Sequence, residues 1–241
     1  IKDLLYKLLP GSYDTVRPEG LPFVYCGLPT LLFLPFYFLS KKYPIRQKVF
    51  SVLLILFFVF GFFFSVPDLI WHGFQRPNWL NYRYSFMLCF YLCVLACRAF
   101  ADYERIPVRH LMTVAGFIGL FCVFLQAVSG DEKGAPNDYT CIFFTLILLF
   151  VYLAVFGASR LSRNRQVVSV TLVTVVALEL FLNGLFCINA LDMDVTYTRH
   201  SYYSDFLKKA RPITEMVQES DPSFYRMEKT FFRKVNDNMA L

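Results

Sequence analysis

The sequence predicts an all-α transmembrane protein, a polytopic helical bundle of six spans with the start of an extracytoplasmic domain at the C-terminus. Three observations carry that reading. Hydrophobic residues make up 56% of the chain and charged residues only 17%, where a soluble domain carries about 25% charged. The apolar residues gather in runs long enough for a helix to cross about 30 Å of hydrocarbon. Lys and Arg fall in the short loops between those runs, and mainly in every second loop.

Taken in order, residues 1–20 mix charges with Pro10-Gly11 and read as an extracytoplasmic loop with a short amphipathic helix. The transmembrane region covers residues 21–189, with spans at about 21–39, 49–66, 84–101, 111–128, 140–158 and 167–189. Span one contains Pro22, Pro29 and Pro35, tolerable where neighbouring helices satisfy the freed carbonyls. Arg98, near the end of span three, is placed to snorkel. Residues 190–241 turn polar and mixed, as at the start of a soluble domain. The chain opens on Ile1 and reads as a piece of a longer protein.

Orientation follows from the bias of basic residues toward the cytoplasm. The loops after spans one, three and five hold Lys41, Lys42, Arg46 and Lys48, then Arg105 and Arg109, then Arg160, Arg163 and Arg165. The alternate loops hold only Arg76, Arg83 and Lys133. The protein is therefore expected in the cell membrane, with the N-terminal stretch, the loop 67–85 and the C-terminal tail outside. The net charge of +6 does not point to nucleic acid, because no basic stripe with interleaved aromatics lies outside the spans.

The outward loop 67–85 is the most unusual stretch. It holds Asp68, Trp71, His72, Arg76, Asn78, Trp79, Asn81, Tyr82 and Arg83. Trp and Tyr suit the headgroup level as anchors. Two arginines on the side that disfavours them call for an anion, and guanidinium meets phosphate bidentately. Arg76 and Arg83 are therefore candidates to hold a lipid phosphate, with His72, Asn78, Trp79, Asn81 and Tyr82 meeting the rest of the substrate. A generic phospholipid headgroup is the plainer occupant.

Glu179 is the one acid deep in a span, with Asn183 one turn on. A carboxylate there suits either a proton or ion path or hydrogen-bonded glue between helices, and with no second intramembrane charge the structural role is favoured. Outside span one, Tyr13, Asp14, Arg17 and Glu19 form a small polar group in which Asp14 could serve as a general base. Cys89, Cys93 and Cys97 share one helix face, as thiolate ligands or, more simply, as small residues for close helix packing. No metal or nucleotide motif occurs, and the cofactor is unknown.

The blocks PGSYD (Pro10 to Asp14), GLPFVYCG (Gly20 to Gly27), WHGFQRPNWLNYRYSF (Trp71 to Phe86) and FYRMEK (Phe224 to Lys229) resemble the bacterial YfhO family of large multi-span proteins. The resemblance implies a fold similar to the GT-C glycosyltransferases. It further implies transfer of a sugar from a polyprenyl-phosphate carrier to a cell-surface glycopolymer acceptor such as teichoic acid, among membrane lipids at the outer face. In such a fold the catalytic acid lies in the first outward loop, expected upstream of Ile1, so no catalytic residue is carried over. The alternatives are a transporter or lipid flippase and a non-catalytic membrane scaffold.

Overall fold

A computed structural model of the chain describes residues 2–12, 20–75, 81–128, 139–162, 164–191, 199–220 and 223. Among them there are helices and no strand. In chain order the α-helices are α1 Lys2–Tyr6, α2 Leu28–Leu39, α3 Ile45–Phe63, α4 Ser65–Trp71, α5 Ser85–Phe100, α6 Val108–Val128, α7 Tyr139–Leu161, α8 Arg165–Leu191 and α9 His200–Ser220. The chain divides into two compact units, Ile1–Val195 and Thr196–Leu241. In the second unit α9 is amphipathic, with Phe206 buried.

Among the described residues four helices are long and apolar enough to cross a membrane: Ile45–Phe63, Val108–Ala127, Cys141–Leu161 and Arg165–Leu191. Of the six expected spans, the second, fourth, fifth and sixth coincide with these helices. Spans one and three are shorter apolar helices, α2 with 12 residues and α5 with 16. At 1.5 Å per residue α2 covers about 18 Å, little more than half of the hydrocarbon thickness. The cause is local. Residues 20–27 are non-helical, and Gly27 takes a φ of 86° that L side chains rarely adopt. Pro29 then starts the helix in its first turn, where its missing N–H costs nothing. Span two is also re-drawn: Phe64 is extended (φ −122°, ψ 127°) and separates α3 from α4.

Half-helix α2 is the axis of the first unit. Its Leu28, Leu32, Phe33 and Tyr37 are buried against Leu95, Ala96 and Ala99 of α5, Leu111 and Ala115 of α6, and Leu149, Tyr152 and Phe156 of α7. The small residues of α5 let its backbone come close. Irregular backbone such as 20–27 survives at membrane depth only when protein covers it; here Val24 is buried with Phe58, Phe62 and Leu88, and Tyr25 donates to Glu179. Outer faces remain apolar and exposed, as at Phe50, Phe57 and Phe60 of α3 and Val173 and Phe181 of α8.

The charged loops after α2, α5 and α7 meet at one end of the bundle. Lys42 pairs with Asp102 at 2.6 Å, and Arg165 pairs with Glu104. Arg160 donates to the carbonyls of Tyr103 and Ile106, both at 2.6 Å, and to that of Glu104. Arg98 lies over the rings of Tyr43 and Tyr37 and donates to Gln47. At the opposite end, Leu4 and Leu8 pack with Trp71 and Tyr82, and the Gly11 N–H donates to Asn183 Oδ1 at 2.7 Å.

Candidate functional site

The helix α4 presents Asp68 and His72 one turn apart at the end away from the basic loops. His72 Nδ1 lies 2.9 Å from the Asp68 carbonyl oxygen and 3.4 Å from its carboxylate. A carbonyl only accepts, so Nδ1 is the donor, and in the neutral ring Nε2 then bears the lone pair. That Nε2 is buried with no hydrogen-bond partner among the described residues, and Asp68 Oδ1 and the Tyr84 hydroxyl are buried beside it, close enough to interact with each other. Buried polar atoms are nearly always paired, so an unpaired His72 Nε2 beside the Asp68 and Tyr84 side chains makes this a candidate site.

An aromatic stack seats the cluster. Trp71 lies flat on Tyr84, with ring centroids 5.1 Å apart, and on Phe58 at 5.7 Å, while Tyr84 stacks on Phe62 at 5.5 Å. Tyr82 meets Phe62 edge-on. Burial, and then the nearby Asp68 carboxylate, push the Tyr82 phenol above its ordinary range. The backbone is strained here: Phe74 (φ 64°) and Tyr82 (φ 55°) are the positive-φ non-glycine residues among those described. Such conformations cost about 1–3 kcal/mol each and collect at functional sites.

Arg83 is exposed and Asn81 half-buried in the turn before α5. The structure therefore places His72 and Tyr82 with Asp68 and Tyr84 around the aromatic stack, and Asn81 and Arg83 in the adjoining turn. Arg76, Asn78 and Trp79 lie outside the described residues, as do Tyr13, Asp14, Arg17 and Glu19. Asp68 and Tyr84 were not singled out from the sequence as site residues. The signal available was the Asp–His spacing of four in PDLIWH, which puts both on one helix face.

Glu179 is fully buried at the middle of α8. Its Oε1 accepts from the Leu28 N–H at 2.6 Å and from the Tyr25 hydroxyl, and its Oε2 accepts from the Tyr152 hydroxyl. The Leu28 amide is the first of α2, so the carboxylate sits on the positive end of that half-helix. One side chain thus ties α8 to α7, to α2 and to the non-helical segment before it. Glu179 is the buried residue of α8, although Leu172, Val175 and Val176 pack partly against the core. The favoured structural role follows from these partners.

Two of the three cysteines of α5 lie against the segment that leads into α2. Cys93 Sγ lies 3.6 Å from the Cys26 carbonyl and from the Thr30 hydroxyl, and Cys89 Sγ lies 3.7 Å from the Phe23 carbonyl. Cys97 is exposed. Among the described residues no group of three or more His, Cys, Asp or Glu is placed to hold a metal.

Long apolar helices with exposed outer faces, charged loops collected at one end and a polar cluster at the other define a multi-pass α-helical membrane protein. The model of the family described as bacterial membrane protein YfhO matches residues 1–241, and the chain belongs to that family. No curated protein and no solved structure matches it.

Proposed function

We propose that the protein is a membrane glycosyltransferase that moves a sugar from a polyprenyl-phosphate carrier to a cell-surface polymer such as teichoic acid, on a GT-C-like fold, at the outer face. The observation that carries this reading is the buried cluster of Asp68, His72 and Tyr84, its His72 Nε2 unpaired, with Arg83 next to Tyr84 in the chain, at the end opposite the basic loops. The basic loops belong on the cytoplasmic side, so the cluster faces outward.

The transfer breaks the bond between the anomeric carbon and the carrier phosphate oxygen and forms one from that carbon to an acceptor oxygen. The acceptor's proton goes to a base, and the lipid phosphate departs as an anion. Arg83 supplies a cation for that anion, where charge develops in the transition state. His72, with a lone pair on Nε2 and its ring held by Asp68, accepts a hydrogen bond or a proton from a sugar hydroxyl.

The full-length protein reconstituted with a polyprenyl-phosphate sugar tests this. Arg83→Ala and His72→Phe should each lower transfer at least about tenfold without changing the melting temperature. Unchanged transfer by both, or an unchanged surface-glycan profile after gene knockout, would remove the reading. One observation favours a transporter or flippase: span one is broken into an extended segment and a half-helix, as in many transporters. Against it, the half-helix N-terminus is already occupied by Glu179, whose oxygens are taken by three donors of the chain itself.

A further inference from the structure

We propose that a groove between α2, α5 and α6 is a site for one anionic glycerophospholipid, its phosphate held by Lys41, Lys42 and Arg105 and an acyl chain laid along α6. The groove measures about 1180 Å³. Its walls are apolar over most of their length, from Pro35 and Leu39 on one side to Phe117 and Phe121 on the other. One end is polar, and there Lys41, Lys42 and Arg105 stand against the single carboxylate Asp102.

Charge and depth together select a lipid. Lys42 and Arg105 both lie against Asp102, at 2.6 Å and 3.7 Å, so two cations share one acid, Lys41 adds a third positive charge to the lining, and the end keeps a positive surplus. The side chains of Arg105 and Lys42 are 84% and 54% exposed. Along α6 the lining runs from His110 to Phe121, about 17 Å at 1.5 Å per residue, which reaches the middle of an about 30 Å core. Cations at headgroup depth followed by an apolar wall at tail depth repeat the order of parts in an anionic lipid. Free phosphate would use the basic end alone. The site lies at the opposite end from the Asp68–His72 cluster and stands independently of the transferase reading.

Phe117 is 68% exposed within the groove, so Phe117→Trp reports on the occupant without disturbing a packed core. The full-length variant is titrated in detergent with phosphatidylglycerol or phosphatidylcholine brominated in the acyl chains, and the parent's quenching is subtracted. Half-maximal quenching should need about fivefold less of the anionic lipid, and adding Lys41→Ala and Arg105→Ala should bring the ratio close to one. Equal quenching by the two lipids overturns the proposal without needing the second variant. Preference that survives loss of both cations also overturns it. So does no quenching by either lipid, which would show the groove covered by protein.

Discussion

Removing the Glu179 carboxylate should loosen the bundle where it is least protected by packing. Glu179→Ala deletes the acceptor for three donors: the Tyr25 hydroxyl, the Tyr152 hydroxyl and the Leu28 N–H. Each buried donor left without a partner costs about 1–3 kcal/mol. Interhelical hydrogen bonds within a membrane average nearer 0.6 kcal/mol, because the unfolded helices find other partners in the bilayer. The two scales bracket a loss of about 2–9 kcal/mol, above the lower end because Leu28 also loses a negative charge at its helix N-terminus. Glu179→Gln keeps one acceptor oxygen for Tyr25 and Leu28, and its amide can donate to the Tyr152 oxygen, so about 1 kcal/mol is expected. Unfolding of the purified protein by denaturing detergent, followed by circular dichroism, gives the two values. An alanine variant within about 0.5 kcal/mol of the parent would refute the role of Glu179 as the tie. A glutamine variant of parental stability with no activity would move the residue into the functional site.

Tyr152→Phe should cost about 1 kcal/mol in the parent and close to nothing in Glu179→Ala, a coupling that a double-mutant cycle reads directly. Gly61→Ala should be destabilising by about 1–3 kcal/mol, since the added Cβ would lie 2.8 Å from the Tyr84 hydroxyl oxygen. Its signature is altered Trp71 fluorescence, because Trp71 stacks on Tyr84. Asp102 has its carboxyl held below the ordinary range by the Lys42 hydrogen bond first, with the Lys42 and Arg105 charges adding to it. A depressed folded pKa means the pair's contribution is present above the usual Asp value of about 3.9 and is lost as pH falls through the folded value. The melting-temperature gap between the parent and Asp102→Asn should therefore be open near neutral pH and close in acid.

The membrane class and the placement of the long helices were legible because hydrophobic run length and loop charge are local properties of the sequence. Spans four, five and six match α6, α7 and α8 with ends extended by a few residues. Span one was not legible in the same way. Leu21–Leu39 is as apolar as its neighbours, but hydropathy does not register backbone conformation, and Pro22 with Gly27 at positive φ keeps its first part out of the helix. Glu179 announced itself as an acid in an apolar run. Its partners Tyr25 and Tyr152 did not, because they come from segments far apart in sequence and meet only through the fold. The outward segment was found through its arginines and tryptophans. The Asp68–His72–Tyr84 cluster at its base needed coordinates, since α4 and α5 approach only through the aromatic stack.

The most direct measurement is which side of the membrane each end of the bundle faces. A membrane-impermeant maleimide should label Arg83→Cys in intact cells above the parent's background, and Lys41→Cys only after the cells are opened. Labelling of Lys41→Cys from outside, with Arg83→Cys protected until lysis, would put the Asp68–His72 cluster in the cytosol and contradict a transfer at the outer face.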